Sequence, residues 1–156
     1  MSKFWAIKDD VQTVPYVDLE RYMGLWYEIA SYPKWFEKGL TDVSAYYAID
    51  GNSVNVINSG YKNGKLKRAK GRAAVVEGWG NARLKVSFFR PFYGKYWVVD
   101  LAPDYSWAVV SHPRRSSLWI LCRTKTMDEA CYESILNRLA SNGFDTSLLV
   151  RMHHSL

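Results

Sequence analysis

Histidine, cysteine and clustered carboxylates carry most protein chemistry, and this chain sets few of them in useful patterns. Its three histidines are His112, His153 and His154. His153 and His154 are adjacent, so their side chains diverge, and His112 precedes Pro113 in a turn. No pair stands at metal-ligand spacing, and no metal site is expected. Cys122 and Cys131 fit neither a zinc site nor a redox pair. They read as free, packed thiols, with a bridge as the second reading. The sequence holds no glycine-rich phosphate loop and no nucleophile elbow, and it implies no cofactor. A site assembled from distant residues would still need an activated nucleophile or a paired acid and base. Nothing local singles one out, so binding is expected rather than catalysis.

Binding needs a scaffold, and composition supplies material for one. The 156 residues are 48% hydrophobic and 15% aromatic, including 7 Trp and 11 Tyr. That is one domain's length, 1–156, with ample apolar matter for a core. The net charge is +6, and the densest cations are Lys62, Lys65, Lys67, Arg68, Lys70 and Arg72. They alternate with Leu66, Ala69, Gly71 and Ala73, which reads as the solvated face of a strand. No recognition motif accompanies them, so nucleic acid is not an expected partner. No apolar run reaches the length of a membrane-spanning helix. The first nine residues are too short and too charged for a signal peptide, and no cysteine near them could carry a lipid. The chain as written reads as soluble.

Turn signals recur at short intervals: Asp50-Gly51, Asn63-Gly64, Gly78–Asn81, Pro91–Gly94, Pro103-Asp104 and His112–Arg115. Between them lie eight β-rich stretches, about 25–31, 43–49, 54–62, 65–76, 82–89, 95–101, 105–111 and 118–124. Leu84, Val86 and Phe88 alternate with Arg83, Lys85 and Ser87, and Val54 and Val56 share a face with Asn58. This is an all-β pattern, and successive tight hairpins favour an eight-stranded antiparallel up-and-down barrel. One segment differs. Thr126-Met127-Asp128-Glu129 reads as a capping box with Thr126 at the N-cap, and Cys131, Ile135 and Leu139 recur every four residues until Gly143. That predicts one α-helix, about 127–141, packed outside the barrel. A short helical turn is expected near Asp18–Gly24. The long first connection, Tyr32 to Asp42, carries Trp35 and Phe36 and is a candidate lid.

Three stretches resemble the lipocalin family. Gly24-Leu25-Trp26 is similar to the motif that opens its first strand. Asp104-Tyr105-Ser106-Trp107 resembles the motif entering its seventh, without the strict Thr-Asp-Tyr triplet. Arg123, closing Leu118–Cys122, resembles the motif of its last barrel strand. Leu84–Phe89, Pro91–Gly94 and Gly143–Asp145 are similar to the bacterial outer-membrane lipoprotein members, relatives of apolipoprotein D. The likeness runs from about Val14 to Val150. It implies that Trp26 and Arg123 meet at the closed end with a structural role shared by Gly24, Asp104 and Tyr105. It also implies carriage or storage of a fatty acid or lysophospholipid. The implied location is the outer membrane or periplasm if a signal and lipid anchor were trimmed, and the cytoplasm otherwise.

Strand parity then gives the expected binding residues. Ala45, Tyr47, Val56, Asn58, Leu84, Val86, Phe88, Tyr96, Val98, Val110, Trp119 and Leu121 should face inward. Tyr47, Asn58 and Tyr96 would be the polar handles in an apolar wall. Some lipocalins are isomerases that use a cavity cysteine, but alternation from Arg123 turns Cys122 outward. A lipocalin-fold isomerase or hydrolase is the alternative function, and a pigment carrier the third. The expected partners are a small lipophilic ligand and, peripherally, a membrane, with monomer and dimer both open.

Overall fold

The computed structural model describes residues 9–34, 37–89 and 92–155. Eight strands follow in order: β1 Gly24–Ser31, β2 Thr41–Asp50, β3 Ser53–Lys62, β4 Lys65–Val75, β5 Arg83–Phe89, β6 Phe92–Leu101, β7 Trp107–Ser111 and β8 Leu118–Cys122. Each pairs antiparallel with the next, and β1 pairs with both β8 and β2, which closes the barrel. The fold is the expected eight-stranded barrel with a C-terminal helix.

Local chemistry explains most boundaries, and it corrects several expectations. Asn63 and Gly64 both take positive φ, 53° and 76°, between the paired Lys62 and Lys65. That is the two-residue turn whose twist suits a hairpin. The preceding hairpin turns one residue later than expected, on Gly51-Asn52, because Asp50 still pairs with Ser53. β6 begins at Phe92, paired with Phe89, so Phe92–Gly94 belong to the strand rather than to the turn. The outer helix, α2 Glu129–Ser141, is capped by Asp128, whose carboxylate accepts from the Cys131 amide at 3.3 Å. Thr126 is not the cap: its carbonyl accepts from the Thr124 hydroxyl at 2.7 Å, which ties it to the connection before the helix. The early helical turn is α1 Leu19–Tyr22, with Asp18 at its N-cap.

Two apolar clusters divide the packing. The inner one fills the lower barrel around Trp26, Tyr47, Val98 and Val110. The outer one lies between α2 and the backs of β1, β7 and β8, joining Tyr132, Ile135 and Leu139 to Ile29, Val109 and Ile120. Strands buried on both faces need apolar residues on both, so β7 and β8 read as nearly continuous hydrophobic runs. Cys122 belongs to this outer cluster, and both cysteines are free.

A ninth strand, β9 Val150–Arg151, was not anticipated. It pairs with Ala30 and Ser31 of β1. β1 and β2 are paired only from Gly24 to Tyr27, and the C-terminal tail enters the gap they leave above. There the Asp42 amide donates to His153 O and the Met152 amide donates to Ile29 O.

Candidate functional site

The closed end is held by one side chain. The Arg123 guanidinium lies 3.7 Å from the Trp26 ring centroid and donates to the carbonyls of Arg21, Leu25 and Tyr105 at 2.7, 2.9 and 3.3 Å. Arg stacks on an aromatic face and its planar fork reaches several acceptors at once. Gly24 lies directly beneath, 3.5 Å from Arg123 Nη1 to where a Cβ would stand. Asp104 caps the turn by accepting from the Ser106 amide, and the Tyr105 hydroxyl accepts from the Asp18 amide.

Above this plug the barrel is nearly solid. The Tyr22 and Tyr96 hydroxyls are 2.8 Å apart, and Tyr96 donates to Tyr47 at 2.9 Å. Tyr22 and Tyr47 are buried and Tyr96 is half-buried, and desolvation pushes each hydroxyl up, Tyr47 to about 12. They stay neutral donors and acceptors to one another. The space bounded by them with Leu84, Val86 and Val98 is ≈ 20 Å³, room for about one water. Tyr47 and Tyr96 thus occupy the floor, their hydroxyls spent on each other.

Toward the open end the inward residues lose their cover. Val110 and Leu121 stay buried, and Ala45 and Trp119 are half-buried. Asn58 is exposed, and Phe88 is 39% exposed. Val56 and Phe88 also line an opening of ≈ 620 Å³ beside β4 and β5. Those strands pair only from Arg72 and Ser87 downward. The opening is apolar at Val56, Ala73 and Phe88, and its outer side carries Lys70, Arg72 and Lys85, of which Arg72 also pairs with Asp50 at 3.3 Å. Lys34, in the first connection, lies back on the rim, with Nζ 5.5 Å from the Trp119 ring centroid and donating to Ser116 O. Trp35, Phe36 and Arg90 lie outside the described residues.

One group at the mouth was missed. Glu28 has the parity of Trp26, pairs with Leu121 and is 3% exposed. A bulge between Glu28 and Ala30 turns Ser31 inward as well, and its hydroxyl donates to Glu28 Oε2 at 3.0 Å. The Glu37 carboxyl, from the first connection, hydrogen-bonds to that of Glu28. Burial pushes Glu28 up to about 8, with the Glu37 charge adding to it, and burial raises Glu37 as well. Two buried carboxyls so placed oppose each other's ionisation, which favours the protonated form of Glu28. Counting by twos from Trp26 would have found Glu28. No local signal marks the bulge or Glu37.

A family model for a lipocalin-like domain matches residues 17–154. The chain is a lipocalin. This lipocalin is 39% identical over 149 residues to the outer membrane lipoprotein Blc of Vibrio cholerae, covering 93% of this chain and 87% of that one. It is 41% identical over 143 residues to Blc of Escherichia coli K12, covering 90% and 81%. Among solved structures, insecticyanin from Manduca sexta superimposes with a TM-score of 0.76 at 25% identity, covering 94% and 85%. The lipocalin's role is to bind a small lipophilic ligand. Among the described residues, no helix is long and apolar enough to cross a membrane.

Proposed function

We propose that this lipocalin carries or stores a single-chain lipid with an anionic head group, a fatty acid or lysophospholipid, and does no chemistry on it. The observation that carries the reading is the opening beside β4 and β5, apolar where Val56, Ala73 and Phe88 face it and carrying Lys70, Arg72 and Lys85 on its outer side. Each methylene buried contributes about 0.8 kcal/mol, so an acyl chain binds well without special contacts. Trp119 and the residues above the tyrosine floor contact the chain, while the head group stays at the cations. The name of the Blc relatives puts them at the outer membrane, where such lipids are at hand. Cys122, packed under α2, supplies no cavity thiol for an isomerase.

Titration of a long-chain fatty acid should give a saturable change in tryptophan emission at about 1:1, lost in Trp119→Phe. The fatty acid should bind more tightly than its methyl ester at low salt, and added salt should narrow the gap. No saturable response would sink the carrier reading. Equal affinities indifferent to salt would remove the anionic head group from it.

A further inference from the structure

Charge is distributed unevenly around the barrel. Residues 51–99 contain ten Lys or Arg and one carboxylate, Glu77, a formal +9 in a chain whose total is +6. These residues build β3 to β6. Two cross-strand pairs there place like charges directly opposite, Lys62 against Lys65 and Lys85 against Lys95. Such pairs destabilise a sheet. No ion pair among the described residues involves any of the four. An arrangement that costs folding stability twice on one side of a barrel is best explained by an anionic partner.

The positive field reaches the open end. His112, in the β7–β8 turn, is held below its usual pKa by burial first and then by Lys95 and Lys34, with Arg114 adding and Asp10 opposing. Of the carboxyls on this side, Asp42 accepts from the Ser155 amide, and burial holds Glu28 and Glu37 toward their protonated forms. Apolar side chains stand among the cations. Tyr61 and Leu66, a cross-strand pair at the tip of the β3–β4 hairpin, are 42% and 44% exposed. Cations interleaved with apolar groups at an exposed hairpin tip match a lipid surface, which offers phosphates at one depth and hydrocarbon just below.

We propose that the tip of the β3–β4 hairpin, at the open end, is a docking surface for an anionic lipid bilayer, with Lys62 and Lys65 on lipid phosphates, Tyr61 and Leu66 in the interface, and the cations farther down the β4–β6 wall adding long-range attraction. Docking there brings the mouth of the barrel to the membrane from which a lipid would be taken. The surface is independent of what the barrel holds.

The test is flotation of the purified chain with vesicles of phosphatidylcholine alone and of phosphatidylcholine mixed with phosphatidylglycerol, at low and high salt. The protein should float with the mixed vesicles at low salt, and not with the neutral ones. Lys65→Glu should lower partitioning on the order of tenfold, and Lys95→Glu, farther from the tip, by less. Each also turns a like-charge pair into an opposite-charge pair, so neither should lower the melting temperature. Lys125→Glu, an equal charge change beyond the last barrel strand, should float like the parent. Failure to float, equal flotation with neutral vesicles, or an equal loss in Lys125→Glu would overturn the proposal. So would displacement from vesicles by neutral polymer as readily as by polyphosphate, while duplex DNA binding without any vesicle binding would assign the surface to nucleic acid instead. Fatty-acid titration of the same variants without vesicles scores the carrier reading separately.

Discussion

Arg123 and Trp26, 97 residues apart in sequence, stack at the base of the barrel with the guanidinium 3.7 Å from the indole centroid. The indole is fully buried, and its Nε1 donates to Tyr22 O at 2.8 Å. Trp26→Ala should therefore cost about 3–5 kcal/mol of stability. Arg123→Ala, which strands three carbonyls, should cost about 2–4 kcal/mol. Denaturant titration measures both. A variant that melts like the parent but no longer binds lipid would contradict the structural role of the pair.

The Glu28–Glu37 pair should make stability fall with rising pH. The folded pKa of Glu28, about 8, lies above the ordinary 4.5, so the folded state holds this proton more tightly. Its contribution is fully present below about pH 4.5 and is lost as pH rises through about 8. Ser31 and Glu37 contact the carboxyl directly, and Lys34 acts on Glu37. Melting temperatures from about pH 5 to about pH 9 should decline in the parent more steeply than in Glu28→Gln. Parallel curves would mean that the pair ionises freely.

Tyr96 sits between the hydroxyls of Tyr22 and Tyr47. Tyr96→Phe leaves both short of a partner in a buried site, at a cost of about 1–3 kcal/mol. Because these rings form the floor, lipid affinity should stay within a factor of about three of the parent. A large loss of affinity at unchanged stability would place the cavity lower than the packing indicates.

Gly71 gives way to no side chain. A Cβ there would stand 2.6 Å from Ser87 O and 2.7 Å from the Phe88 ring. Gly71→Ala should force β4 and β5 apart where their pairing ends, with a loss of about 1–3 kcal/mol. Faster hydrogen exchange confined to Arg72–Ala74 and Lys85–Ser87 would locate the damage. Exchange unchanged at those amides would show that the ring simply rotates away.

Much of this protein was decided locally. Side-chain alternation has a period of two whatever lies across the sheet, so Tyr47, Val56, Leu84, Val98 and Leu121 face the interior as their strands alone dictate. The four-residue rhythm of Ile135 and Leu139 likewise sufficed for the helix and the face it buries. Parity says which face a residue takes, but not how far along the barrel it lies or what stands opposite. Those depend on closure, shear and bulges, which arise only when distant strands meet. Hence Tyr47 and Tyr96, which alternation offers as polar handles for a ligand, become the floor once Tyr22 joins them from another element. A single bulge sets Glu28 and Ser31 side by side inside the wall, and the fold of the first connection delivers Glu37 to them. The C-terminal tail finds its place only because β1 and β2 part above Tyr27 and leave backbone groups to be paired.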